Sequence, residues 1–191
     1  MFENLIKNLN SYLNFTDEEL TFFLSLFVYK KVKKYDYIIK AGEICHYVAY
    51  VNKGLFRYYF TAGNKEHTTR IFLEDSWTGD YVSFLCRRES VVNIEALEDS
   101  ELFMLNYESI QRAYDKAKTF ERFGRLIAES LFIDIVSRNT NFLRKTPEER
   151  YLDMLEQTPQ IFNRVSLKYI ASIIGIEPES LSRIRKRTAG R

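Results

Sequence analysis

Ser166-Leu167-Lys168-Tyr169-Ile170-Ala171-Ser172-Ile173-Ile174-Gly175-Ile176-Glu177-Pro178-Glu179-Ser180-Leu181-Ser182-Arg183-Ile184 reads as two short helices crossing steeply about a tight turn. Helix axes that approach closely need a small residue at the crossing, and Ala171 stands there. The turn needs a residue at ease with positive φ, and Gly175 supplies it. Ile170, Ile174, Ile176, Leu181 and Ile184 fall where side chains must face inward from both helices. Ser166 is a sound N-cap, and Pro178 suits a first helical position, where a missing N–H costs nothing. An ordinary helical hairpin would share much of this pattern.

Charge separates the two readings. From Ile161 to Arg191 the chain carries seven basic against two acidic side chains, a net of +5, whereas the whole chain carries +2, leaving −3 on the other 160 residues. A basic C-terminal end on a slightly acidic body points to a polyanion as partner. With Leu181 and Ile184 inward, Glu179, Ser180, Ser182 and Arg183 face outward near the start of the second helix, the end that enters a major groove. Arginine can donate two hydrogen bonds to guanine, and glutamate can accept from the cytosine amino group. Arg185, Lys186 and Arg187 fit phosphate contacts, as do Ser166 and Lys168 at the start of the first helix.

Upstream, the texture changes twice. Thr16-Asp17-Glu18-Glu19 is a helix-start signal in a helical first thirty residues. From about Lys31 to Asn106, short β-branched and aromatic runs alternate with turn signals: Tyr37-Ile38-Ile39, Tyr47 to Val51, Leu55 to Phe60 and Arg70 to Leu73. Four of the seven glycines and none of the three prolines lie there, which suits an antiparallel barrel or sandwich with unbroken ladders. The fold class expected is therefore α+β.

From Tyr107 the pattern is helical again. A helix over roughly Lys118 to Phe142 carries Phe120, Phe123, Ile127, Leu131 and Ile135 on one stripe, with Leu126 and Ile133 elsewhere on its surface. Apolar surface on two sides needs two partners: the barrel, and a second copy of the same helix. Phe123, Ile127, Leu131 and Ile135 are the expected dimer seam. One wide core-facing face is the alternative. Gly124 marks a close helix approach. Asn139 to Thr146 reads as a hinge, and Pro147 opens the next helix. The expected domains are 1–142, barrel and long helix, and 143–191, the helix pair.

Composition excludes several classes. The apolar runs are far shorter than the roughly 20 residues of a bilayer span, and Met1 to Asn10 lacks a signal-peptide pattern, so a cytoplasmic protein without a membrane partner is expected. Cys45 and Cys86 read as reduced thiols, with a disulfide as the alternative. Cys45-His46 is one adjacent pair and His67 the only other histidine, so neither a metal site nor a metal cofactor is expected. No Gly-x-Ser-x-Gly elbow occurs, and no catalytic residues are assigned.

The order of these parts resembles the cAMP receptor protein and FNR family of bacterial regulators. The resemblance rests on Gly42-Glu43, Asn52-Lys53-Gly54-Leu55-Phe56-Arg57, Ala96 to Leu102, and Ile174 to Arg185. It implies an N-terminal β-roll of cyclic nucleotide-binding type, a long dimerisation helix and a C-terminal helix-turn-helix. The implied partners are a near-palindromic double-stranded DNA, a second copy of the chain and, as a further candidate, RNA polymerase. The family's Gly-Glu pair and phosphate-binding arginine match Gly79-Asp80 and Ser90 here, with Arg87 and Arg88 nearby but shifted. Those five residues are the candidate effector pocket, and cAMP is not the expected ligand. The cysteines of the family's iron–sulfur branch are absent. The usual wing after the recognition helix is expected to be missing or shortened. A ligand-binding or signalling module whose C-terminal helices only pack or bind protein is the alternative function.

Overall fold

Two N-terminal helices, α1 (Glu3–Tyr12) and α2 (Asp17–Ser25), open the computed structural model, which describes residues 1–188. Arg191, counted above in the basic end, lies outside the described residues. The start of α2 is a capping box: the Glu19 amide donates to Thr16 Oγ1 and the Thr16 amide donates to the Glu19 carboxylate.

The strands follow as β1 (Val28–Val32), β2 (Tyr37–Ile39), β3 (Tyr47–Lys53), β4 (Phe56–Ala62), β5 (Lys65–Phe72) and β6 (Trp77–Thr78). A short helix α3 (Tyr81–Cys86) interrupts them before β7 (Asn93–Ala96) and β8 (Ser100–Asn106). They make two four-stranded sheets in the orders β1-β8-β3-β6 and β2-β7-β4-β5. The nonconsecutive order is that of a roll, and its core is Tyr50, Val51, Leu55, Phe56, Ile94, Leu102 and Phe103, all inaccessible to solvent. Gly54 enters the left-handed region at φ +91°, and a β-carbon there would collide with Ser100.

On the second sheet, Tyr37 pairs with Glu95 and Glu95 with Arg57, one row across three strands. The Arg57 guanidinium, only 2% exposed, donates to Glu95 Oε2 at 3.0 Å and lies 3.7 Å from the centroid of the Tyr59 ring. The Tyr59 hydroxyl meets that of Tyr37 at 3.1 Å. Nothing in the sequence pattern pairs these two residues, which lie 38 positions apart.

Helix α4 (Tyr107–Lys116) leads into the long helix α5 (Lys118–Arg144). Gly124 is where the two approach, since a β-carbon there would enter the Tyr114 ring. The first third of α5 closes an aromatic cluster. Phe120 packs against Phe15, Phe22 and Phe23, and Phe123 against Tyr12, Phe15, Phe23 and Trp77. Phe123 and Ile127 are thereby buried within one chain, which corrects their assignment to a dimer seam. Leu131 continues that side half-buried, and Ile135 is exposed. Phe132, Val136 and Leu143 are exposed on the opposite side of the helix, flanked by Ile133.

Four helices complete the described chain: α6 (Pro147–Gln157), α7 (Ile161–Arg164), α8 (Leu167–Ile174) and α9 (Pro178–Thr188). A second capping box, Thr146 with Glu149, starts α6 at Pro147. The chain forms two compact units, Met1–Phe60 with Ile71–Glu129, and Thr61–Arg70 with Ser130–Arg191. Their division falls within α5 rather than at residue 143, and the β4–β5 turn groups with the second unit. The reason is specific bonding within that unit. Ser172 Oγ accepts from the Thr68 amide at 2.9 Å and donates to its carbonyl at 3.2 Å. Lys65 pairs with Glu177 and Arg70 with Asp134.

Removing one member of a buried ion pair costs about 3–5 kcal/mol, whereas replacing both with apolar residues of similar volume is often neutral. Glu95→Gln is therefore expected to lower the urea-unfolding free energy by that order, and Arg57→Met with Glu95→Leu to recover most of it. Equal losses in the single and double variants would show that the pair itself is not what the roll depends on.

Candidate functional site

The end of α8 follows from one backbone requirement. Gly175 stands at φ +80°, the Gly175 amide donates to the Ser172 carbonyl and the Ile176 amide to the Ala171 carbonyl, both at 3.0 Å. This is the Schellman pattern, which satisfies carbonyls that a helix end leaves open. Pro178 then begins α9, with the Ser180 and Leu181 amides donating to Glu177 O. Ile170, Ala171, Ile174, Leu181 and Ile184 are buried. The small residue, the glycine and the apolar positions therefore stand where the sequence places them. Ile176 is half-buried.

The opposite side of α9 carries Glu179, Ser182, Arg183 and Lys186, all exposed and spaced by three or four residues. Arg183 donates from a terminal guanidinium nitrogen to Ser180 Oγ at 3.0 Å, so the half-buried Ser180 holds the arginine head close to α9. Arg185 is exposed on a flank, and Arg187 is held by Glu148 at 2.7 Å. Ser166 caps α8 by accepting from the Lys168 amide at 3.3 Å, and both residues are exposed. The nine residues singled out for DNA thus lie on α9 and at the start of α8. Some of their side chains are engaged within the chain: Arg187 with Glu148, Arg183 with Ser180, and Ser166 with the Lys168 amide.

The second candidate site lies around α3. Asp80 is buried and caps that helix, its Oδ1 accepting from the Val82 and Ser83 amides at 3.2 and 3.4 Å. Gly79 precedes it at φ +149°, with the Tyr47 carbonyl 3.3 Å from where a β-carbon would stand. Ser90 is buried too. Its hydroxyl donates to Val92 O at 2.9 Å and accepts from the Val92 amide at 3.1 Å. Its backbone bonds to Gly42 and Glu43, joining that turn to the loop after α3. Arg87 is exposed in a left-handed conformation and donates to His46 Nδ1 at 3.2 Å. Arg88 is exposed, and its carbonyl accepts from Ser83 Oγ. Asp80 and Ser90 thus serve the backbone, while the two arginines face solvent. Cys45 and Cys86 are both free. Burial pushes the Cys45 thiol up, which keeps it protonated.

Comparison with known proteins places this roll. Residues 29–117 match the family model described as cyclic nucleotide-binding domain. The roll is a cyclic nucleotide-binding domain. No curated protein sequence matches the chain. Among solved structures, the chain is similar to FixK2 from Bradyrhizobium japonicum, with TM-score 0.69, 17% identity, and coverage of 86% of this chain and 85% of that one. It is similar to a putative transcriptional regulator of the Crp/Fnr family from Eubacterium rectale, with TM-score 0.68, 18% identity, and coverage of 91% and 83%. It is also similar to the c-di-GMP responsive global regulator CLP from Xanthomonas campestris, with TM-score 0.68, 17% identity, and coverage of 92% of both chains. At these identities the likeness is one of fold.

Within the cyclic nucleotide-binding domain, the burial of Arg57, its pairing with Glu95 and the helix α3 are not among the expectations from sequence. A six-residue helix is too short to show a period, and the partners of the ion pair are 38 residues apart. An arginine amid Phe56, Tyr58 and Tyr59 was the one available signal. No helix among the described residues is long and apolar enough to cross a membrane.

Proposed function

We propose that this chain is a homodimeric, sequence-specific DNA-binding transcriptional regulator whose cyclic nucleotide-binding domain senses an effector other than cAMP. The observation that carries the reading is the stripe Glu179, Ser182, Arg183 and Lys186 on α9, exposed above a turn bonded in the Schellman pattern. That combination is a helix-turn-helix whose second helix offers base-reading side chains near its start and cations near its end. Regulators of the Crp/Fnr type share the fold, which supports the same reading and a regulatory rather than enzymatic role.

The dimer seam in this reading is the uncovered side of α5. Phe132 is 68% and Leu143 84% exposed, and Val136 lies between them on the same side of the helix. A second copy of that surface covers it with twofold symmetry. Two recognition helices then meet successive major grooves about 34 Å apart, which calls for a near-palindromic operator. RNA polymerase is a further partner of this proposal.

For the effector, Ser90 supplies no charge to a cyclic phosphate, and a buried phosphate without a paired cation is unfavourable. Calorimetry is therefore expected to show no micromolar binding of cAMP. A tight isotherm that disappears in Arg87→Ala or Arg88→Ala would instead give those arginines the phosphate.

Val136→Glu is expected to convert the dimer to monomer in sedimentation equilibrium, because it sets two carboxylates into an apolar seam. A dimer that survives the substitution would put the seam elsewhere.

Selection from a random DNA pool tests the recognition helix. Arg183→Ala is expected to cost about 1–3 kcal/mol on the selected site and to relax one base position in each half-site. Lys186→Ala is expected to weaken all sequences alike and to reduce the salt slope by about 0.9 for each phosphate left without its cation. An unchanged motif with Arg183→Ala, or no enriched motif with the wild type, would sink the assignment.

A further inference from the structure

Arg150 ends on three backbone carbonyls belonging to two different helix ends. Its Nε and one terminal nitrogen donate to Ile174 O, at 3.0 and 2.7 Å. The other terminal nitrogen donates to Phe142 O at 2.9 Å and to Lys145 O at 2.5 Å. Ile174 is the last residue of α8, and Phe142 and Lys145 bracket the end of α5. Carbonyls at helix C-termini lack intrahelical partners and carry the negative end of the helix dipole, so one cation shared between two such ends is doubly favoured. The guanidinium also stacks over the Phe142 ring at 4.5 Å from its centroid. That ring in turn lies against Gly175, where a β-carbon would stand 2.7 Å from its carbons.

The end of the long helix, the start of α6 and the turn before the recognition helix therefore meet at one side chain. The α8–α9 core of Ile170, Ala171, Ile174, Leu181 and Ile184 does not include Arg150, so the helix pair keeps its own packing without it. We infer that Arg150 is a positioning residue: it fixes the recognition helix α9 on the end of α5 and so sets the spacing between half-sites that a dimer reads. The fork geometry is essential. Guanidinium is planar and directs its donors to separate acceptors, whereas a lysine is a compact point charge. The part of the inference concerning half-sites rests on the DNA-binding reading, and the part concerning the joint does not.

Two measurements test it. Nitroxide labels at Ser137 on α5 and Ser182 on α9, both exposed, report the joint by pulsed electron–electron resonance, with Cys86→Ser removing the exposed native thiol. Labelled chains are diluted into excess unlabelled chain, so that only distances within one chain are read. The unsubstituted protein is expected to give one narrow distance. Arg150→Gln and Arg150→Lys are expected to broaden it at least twofold, with helical circular dichroism unchanged. If Arg150→Gln loses helix content, Arg150→Lys, which keeps the charge and the stem, decides. A distribution as narrow as wild type in the folded variant overturns the inference. In the second measurement, the DNA pool holds two half-sites separated by variable spacers. Wild type is expected to enrich one spacer, and Arg150→Gln the same half-site with several. One unchanged spacer in the variant overturns the inference as well. Failure of the wild type to enrich any half-site would instead count against DNA binding, while the label distances still judge the joint.

Discussion

Phe123 is the residue through which the long helix is fastened to the rest of its unit. Its ring lies edge-on to those of Tyr12, Phe15, Phe23 and Trp77, so residues from both N-terminal helices and from the strand β6 close on one side chain. Burying a phenylalanine is worth roughly 1.5–3 kcal/mol, and aromatic pairs of this geometry add about 0.5–1.5 kcal/mol beyond area. Phe120 and Ile127 extend the same buried side. Because an α-helix turns 3.6 residues per revolution, committing that side to the roll leaves Phe132, Val136 and Leu143 on the other. The exposed apolar side of α5 is thus a geometric consequence of which side packs on the aromatic cluster.

The cyclic nucleotide-binding domain uses its polar residues in an economical way. Asp80 and Ser90 are two of the residues expected from the sequence to line an effector pocket. Here both close local backbone bonds, Asp80 at the start of α3 and Ser90 at the loop that follows it. The largest buried charge in the roll is Arg57, and Glu95 already faces it. A charge buried in low dielectric is tolerated when it is paired and hydrogen-bonded, and Tyr59 adds the face of its ring to the same cation. The charge of Arg57 is therefore paired within the chain.

Much of this is legible in the residues, and the failures share a cause. Tyr37-Ile38-Ile39, the start of the long helix at Lys118 and the start of α6 at Pro147 stand where the pattern puts them, because each is set by local chemistry. Gly175 and Ala171 are legible for the same reason: one backbone conformation and one close approach each admit few residue types. The stripe from Phe120 to Ile135 reads as continuous, but which part meets the core depends on neighbours far away in sequence. Periodicity locates an apolar side and says nothing of what covers it. Arg57 with Glu95, Thr68 with Ser172 and Arg150 with Ile174 are likewise encounters across long separations.

The fixings of the second unit differ in strength, and their order follows from exposure. Lys65 and Glu177 are both more than 60% exposed, and such a pair is worth about 0–1 kcal/mol. The two bonds between Ser172 and Thr68 are neutral hydrogen bonds, each worth on the order of 1 kcal/mol. Arg150 makes four charge-assisted bonds to carbonyls and stacks on an aromatic ring. Bonds to a charged group are worth about 1.5–3 kcal/mol, roughly twice their neutral counterparts. Local opening proceeds from the weakest contacts, so the β4–β5 turn parts from Ser172 and Glu177 before the joint at Arg150 gives way. The end of α8 is held more firmly at the end of α5 than by the hairpin that touches Ser172 and Glu177.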